Sequence, residues 1–360
     1  SKVLINEKKK IMEITNTKMH RLIVPYKLVS TMRAGVLTMG SLLGRYQKKK
    51  ILVAKGGGCS LGIRDINYHL SGFRSLNANH SLSKGYVEIS SKKGLYGNSF
   101  KFPKITVTGT SNLIMASVLA RGEHILKNIS IEPEVIDLIN FLNNSGAKIK
   151  FTGRRTLKIT GVKEFINGSH KIIGDRIEAF SYLCVAAITR GEILIKNINP
   201  DFLSTELEVL KKLGCTIKIS QNSIYLKTKK KFRPIKIKTQ PFPGFATDNM
   251  PIILSLLTTV TGKSEITETI FSNRFMAVPE LLRMGAKIKV KKNKAIIIGQ
   301  KTLNSAECIS SDLRTTFSII LGALYAKGQT EISRIYHGLR GYYNLKNKLK
   351  KLGVSIKSEK

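Results

Sequence analysis

The chain contains no tryptophan, and aromatic residues make up only 7% of its 360 positions. Proteins that hold single-stranded nucleic acid set aromatic side chains in register with positive charge. So sparse an aromatic complement excludes such a stacking platform. Cysteine is scarce as well. Cys59, Cys184, Cys215 and Cys308 form no CxxC pair, which excludes a disulfide framework or a zinc cluster. Cys184, inside Tyr182-Leu183-Cys184-Val185-Ala186, reads as a core residue, because a free cysteine behaves as a small buried hydrophobe; Cys215 and Cys308 read the same way. No apolar run approaches the roughly 18 residues of a membrane helix. Ile252–Val260 is short and interrupted by Ser255, Thr258 and Thr259. No apolar signal core follows Lys8–Lys10, so a cytoplasmic protein without a membrane partner is expected.

Acidic residues are few: 23 against 61 basic ones, a net charge of +38. The lysines are spread through runs such as Lys48–Lys50, Lys229–Lys231, Lys291–Lys292 and Lys350–Lys351. Charge distributed in this way reads as a solvated surface with a general attraction for anions, including phosphorylated small substrates. It does not read as a specific nucleic-acid site. The 42% apolar content supports sizeable cores, and the length predicts two domains, drawn at 1–173 and 174–360.

What the chain has in abundance is internal repetition. Leu142-Asn143-Asn144-Ser145-Gly146-Ala147-Lys148-Ile149-Lys150 lines up with segments centred on Gly214, Gly285 and Gly353, at spacings of 214 − 146 = 68, 285 − 214 = 71 and 353 − 285 = 68. A degenerate copy puts Asn77 in the glycine slot, 146 − 77 = 69 residues earlier. Each copy predicts an amphipathic helix with a basic last turn, a left-handed cap at the glycine, and an alternating strand. A second mark, at Gly122, Gly191, Gly262 and Gly328, follows an apolar helix and precedes another strand. Each unit of about 70 residues is therefore expected to hold two helices and about four short strands. One further period back from Asn77 falls at or before Ser1, so the chain reads as beginning within a first unit of a six-unit whole, with about five complete.

Several motifs then occur in one order. They are Thr31-Met32-Arg33-Ala34, Gly57-Gly58-Cys59-Ser60-Leu61-Gly62-Ile63-Arg64, His69-Leu70-Ser71-Gly72, Glu132-Pro133-Glu134, Gly174-Asp175-Arg176-Ile177-Glu178, Thr247-Asp248, Asn273-Arg274-Phe275-Met276, Asp312-Leu313-Arg314, and Arg334-Ile335-Tyr336-His337 with Arg340-Gly341-Tyr342. Together with the repeat they resemble the enolpyruvyl transferases, and within them the UDP-N-acetylglucosamine 1-carboxyvinyltransferase branch. The resemblance implies a two-domain inside-out α/β barrel. It also implies transfer of the enolpyruvyl group of phosphoenolpyruvate to the 3-hydroxyl of UDP-N-acetylglucosamine, with release of phosphate, as the first committed step of peptidoglycan synthesis. No metal or redox cofactor is implied. Two other readings stay open: an inactive or fragmentary relative, and a basic nucleic-acid-binding protein.

The resemblance assigns roles by position. Cys59, after Gly56-Gly57-Gly58 and between Lys55 and Arg64, is the implied general acid at the vinyl methylene. Neighbouring cations favour a reactive thiol, and glycines suit a loop that closes over substrate. Asp248 is the implied base for the sugar hydroxyl, and its position just before a helix also suits an N-cap. Arg33, Arg64, Arg314 and Arg340 match anion-binding positions, as forked guanidinium donors suit carboxylate and phosphate. Arg274 matches another position, where a structural role is equally open, and Asp312 stands where it can orient Arg314 or assist catalysis. The implied UDP-sugar contacts are Arg64, Asp65, Ile66, Asn67 and Tyr68, then Lys104, Ile105, Thr106 and Val107, and Ile270. Asp65 and Asn67 depart from the family pattern, which carries proline and aspartate there. His69 resembles a family histidine, with packing an equal reading. A lysine–asparagine pair that the family carries near its start has no counterpart here.

Overall fold

The computed structural model describes residues 2–6, 11–15, 22–29, 33–54, 66–228 and 231–357. These fall into two compact units. The first takes in residues up to His170 except Glu132–Glu134, and the second takes in Glu132–Glu134 and the chain from Lys171 onward.

The repeat is visible as a recurring cap. Asn77 (φ 67°), Gly146 (φ 91°), Gly214 (φ 122°), Gly285 (φ 84°) and Gly353 (φ 90°) all turn the chain through positive φ. At four of them the same two hydrogen bonds close the helix: Gly146 N to Asn143 O at 3.0 Å with Ala147 N to Leu142 O at 3.0 Å, and the equivalents at Asn77, Gly285 and Gly353. This is the paired bonding that satisfies the last carbonyls of a helix ending in a left-handed residue. The second mark is less uniform. Gly122, Gly262 and Gly328 take positive φ, but in the remaining copy the preceding Arg190 (φ 58°) does so instead of Gly191.

Three of the copies, those capped at Asn77, Gly146 and Gly285, each build one four-stranded sheet. In the first unit the order is Ile23–Val24, Ile51–Ala54, Tyr86–Ser90, Asn79–Ser83, and again Ser99–Lys101, Glu123–Lys127, Thr156–Thr160, Lys148–Gly153. The second unit repeats it with Lys236–Lys238, Lys263–Thr267, Lys294–Ile298, Lys287–Lys291. The first pair of each sheet is parallel and the others antiparallel. A three-stranded sheet in the second unit, Glu192–Lys196, Ser223–Thr228, Cys215–Ser220, has no parallel fourth strand among the described residues. The strand that follows the cap at Asn77, Gly146, Gly214 and Gly285 is in each case a sheet edge. Three such edges present exposed lysines: Lys148 and Lys150, Lys218, and Lys287, Lys289 and Lys291. The neighbouring strand alternates buried and half-buried residues, as in Thr156–Thr160 and Lys294–Ile298, which is the pattern of a sheet with one face on a core.

Helices fill that core. In the second unit, Arg176–Ile188, Met250–Leu257 and Leu313–Tyr325 pack against one another and are buried over most of their circumference. A helix apolar on all sides belongs in an interior, and here the sheets lie outside it. In the first unit, Thr38–Arg45 approaches Val107–Ser117 so closely that a Cβ on Gly40 would stand 2.2 Å from the Asn112 carbonyl oxygen. Only glycine fits there. No helix among the described residues is long and apolar enough to cross a membrane.

Candidate active site

In the second unit the polar centre forms at the starts of two buried helices. Asp312 caps Leu313–Tyr325, its Oδ1 accepting from Arg314 N at 2.9 Å and Thr315 N at 3.1 Å. Capping by a short side chain fixes the first turn of a helix, and this one places Arg314 over Asp248. The Arg314 Nε and Nη2 donate to Asp248 Oδ2 at 3.2 and 3.1 Å. Arg274, only 2% exposed, donates from Nη2 to Asp248 Oδ1 at 2.8 Å and from Nε to the Thr247 carbonyl at 3.0 Å. Each carboxylate oxygen of Asp248 thus meets its own guanidinium. Asp248 does not serve as a cap. It lies in the turn Thr247–Asn249, and the following helix Met250–Leu257 has Asn249 at its cap position without a side-chain cap bond. Asp312, in turn, orients Arg314 through the backbone.

The electrostatics follow from the geometry. Burial pushes the Asp248 carboxyl up, but the Arg274 and Arg314 charges outweigh it and hold the group down at about 2. Its side chain nevertheless keeps 42% of its surface exposed. Arg314 has a donor to spare: its Nη1 is buried with no hydrogen-bond partner among the described residues. Beneath it lies Tyr342, fully buried, stacked on Phe317 at 4.5 Å. The Tyr342 hydroxyl is 2.8 Å from Ser181 Oγ, and its ring centroid is 5.5 Å from the Arg314 guanidinium. A buried cation with an unused donor, beside an ionised carboxylate open to solvent, can exchange one anionic partner for another.

Arg340 is not part of this cluster. It is exposed at the end of the short helix Tyr336–Leu339. Ile270 is 37% exposed. Cys59, Arg64 and Asp65 lie outside the described residues, as does the side chain of Arg33, whose backbone opens the turn Arg33–Leu37. The other three cysteines are buried and free. Burial raises the Cys184 thiol well above its usual value and pushes Cys215 to about 12 and Cys308 to about 11, so none is a ready nucleophile or acid.

In the first unit, the two segments assigned to the UDP-sugar start adjacent helices. Ile66 immediately precedes Asn67–Ser75, and Tyr68 is half-buried in its first turn. Thr106 caps Val107–Ser117, accepting from Gly109 N at 3.3 Å, with Lys104 exposed and Ile105 half-buried just before it. His69 joins them: one ring nitrogen is 3.4 Å from Thr108 Oγ1 and the other 2.7 Å from Asn112 Nδ2. Asn112 Oδ1 accepts from Gly40 N at 2.8 Å, and its Nδ2 also donates to Val36 O at 2.9 Å. His69 is therefore a buried, hydrogen-bonded joint between helices.

A family model described as EPSP synthase (3-phosphoshikimate 1-carboxyvinyltransferase) matches residues 2–349. The chain belongs to this family of enolpyruvyl transferases. Among curated family members, the UDP-N-acetylglucosamine 1-carboxyvinyltransferase of Pelagibacter ubique is 45% identical over 98% of this chain and 84% of its own length. The protein of the same description from Myxococcus xanthus is 42% identical over 93% and 79%. The fold agrees with solved family structures. The enolpyruvyl transferase NikO from Streptomyces tendae superposes with a TM-score of 0.86 over 99% of this chain and 84% of that one, at 19% identity. An EPSP synthase from Acinetobacter baumannii gives 0.69 over 88% and 76%, also at 19% identity.

One residue of the site escaped the sequence. Glu268, 2% exposed, follows strand Lys263–Thr267 and accepts from the Thr247 hydroxyl on one side and from Ile270 N on the other. The flanking Thr267 and Thr269 were its only local signal.

Proposed function

We propose that this chain transfers the enolpyruvyl group of phosphoenolpyruvate to the 3-hydroxyl of UDP-N-acetylglucosamine, releasing phosphate, in the cytoplasm. The observation that carries the reading is Asp248 held ionised between Arg274 and Arg314 at the mouths of two buried helices, in a chain whose relatives bear that activity in their names. The 3-hydroxyl oxygen adds to C2 of phosphoenolpyruvate while Asp248 takes its proton, and a proton from Cys59 reaches C3 to make the methyl of a tetrahedral ketal. Loss of a C3 proton with departure of phosphate restores the vinyl group on the sugar. Arg314, Arg340, Arg33 and Arg64 neutralise phosphate and carboxylate. An anion that engages the spare Nη1 of Arg314 competes with Asp248 for that guanidinium, and a carboxylate freed of one cation becomes a stronger base. The family resemblance assigns Asp65, Ile66, Asn67, Tyr68, Lys104, Ile105, Thr106, Val107 and Ile270 to the nucleotide end of the substrate.

The test is phosphate release with both substrates, in wild type and in Cys59→Ala. Release is expected only when both are present and is expected to vanish in the variant. Phosphate released equally without the UDP-sugar, or undiminished in Cys59→Ala, would refute the assignment.

A further inference from the structure

We infer that Glu268 is a positioning residue that sets the place of Asp248 relative to the Ile270 contact, fixing the sugar-hydroxyl end of the substrate against its nucleotide end. The inference rests on the proposed reaction for its functional meaning and on the hydrogen bonds for its geometry. Oε1 accepts from the Ile270 N–H at 2.7 Å, the Phe271 N–H at 3.1 Å and the Thr239 hydroxyl at 2.9 Å. Oε2 accepts from the Thr247 hydroxyl at 3.0 Å. The backbone is held too: Glu268 N donates to Asn293 O at 2.8 Å, and Glu268 O accepts from Asn293 Nδ2 at 3.0 Å.

A buried carboxylate that merely closes a turn is the plainer alternative, and Oε1 alone does that job. Oε2 does something else. Its bond to the Thr247 hydroxyl reaches 21 residues back to the turn that carries Asp248, and the carbonyl of the same Thr247 accepts from Arg274. The two oxygens of one carboxylate are rigidly spaced, so the Ile270–Phe271 backbone and the Asp248 turn cannot shift independently. Positioning of this kind matters because a misplacement of about 1 Å can cost on the order of 10²-fold in rate.

The two arms can be cut separately. Thr247→Val is isosteric and removes only the Oε2 bond. Its kcat is expected to fall about 10- to 100-fold, with the KM for UDP-N-acetylglucosamine and the melting temperature near wild type. Glu268→Ala cuts both arms, raising that KM as well and leaving the KM for phosphoenolpyruvate unchanged. Glu268→Gln can keep Oε1 as acceptor and turn its amide toward the Thr247 hydroxyl, so it should rescue most of the loss. A second readout needs no turnover. In the ligand-free protein, carbon-13 NMR of the Asp248 carboxyl should show it titrating higher in Thr247→Val than in wild type, because the carboxylate is no longer held against its arginines. An inactive wild type defeats the proposed reaction alone. Wild-type kcat in Thr247→Val, or an unmoved Asp248 titration, overturns the role of Glu268.

Discussion

The two units solve the same problem differently. Each gathers polar groups where buried helices begin. In the first unit the gathering is neutral and closed: Asn112 satisfies Gly40 N, Val36 O and His69 at once, and the result is a joint. In the second unit the gathering is ionic and left open, with a half-exposed carboxylate and a buried guanidinium nitrogen, Arg314 Nη1, that has no hydrogen-bond partner among the described residues. Buried polar groups are normally satisfied; of the several buried side-chain atoms without a partner among the described residues, in both units, Arg314 Nη1 is the one carried by a permanent cation. It marks where the second unit can take an anion from outside.

The largest effect that could break this contrast is on turnover. Asp248→Asn should lower kcat by roughly 10²–10⁴-fold, the span typical of a removed general base, with the protein still folded by circular dichroism. Near-wild-type turnover would reduce the ionic cluster to a structural device like its neutral counterpart. A middle-sized effect is expected from Asn112→Leu, which leaves Gly40 N and Val36 O without their partner. Each unmet buried group costs about 1–3 kcal/mol, read as a lower urea midpoint. Since no charge is removed, the loss should be the same at about 0.1 M and about 1 M salt; a salt-dependent loss would show hidden ionic character in the first unit.

The smallest effect is on acid stability. Burial lowers His124 in the first unit below its ordinary 6.5, and burial followed by the Arg74 charge lowers His80. The unfolded chain therefore takes up these protons first, and the stability conferred by the neutral rings is lost as pH falls below 6.5. In the second unit burial and then the Arg340 charge lower His337 in the same way, but burial raises Glu132 and Glu206, where the folded state binds protons more readily, so mild acid weakens that unit less. Asp248, held at about 2, surrenders its contribution only below 3.8. Urea unfolding at pH 7 and pH 5, followed by pulse proteolysis mapped to each unit, should show the first unit losing more stability than the second. A parallel loss in both would remove the electrostatic distinction between them.

Much of this was legible in the sequence where one residue does one local job. The glycine slots foretold the caps because positive φ is a property of a single position, and Asn77 was readable as a stand-in because asparagine tolerates the same conformation. Asp248, Arg274 and Arg314 were found by their motifs, and the structure brings all three into contact. Glu268 was not found. It is one of 23 acidic residues, and its partners Thr239 and Thr247 lie 29 and 21 positions away, joined only when a strand and a turn come together. The exchange of Gly191 for Arg190 at the second mark was equally hidden, since a one-residue slip of a cap leaves the spacing of the repeat intact.

A chain made by copying one module copies its hazards with its virtues. Four of the duplicates here each bring a sheet margin, and a bare margin is adhesive, because its unpaired amides and carbonyls will accept any extended neighbour. The lysines of Lys148–Gly153, Cys215–Ser220 and Lys287–Lys291 lie along those margins, and desolvating an ammonium opposes the approach of another strand. Part of the +38 charge is in this sense insulation, laid down at the period of the fold itself.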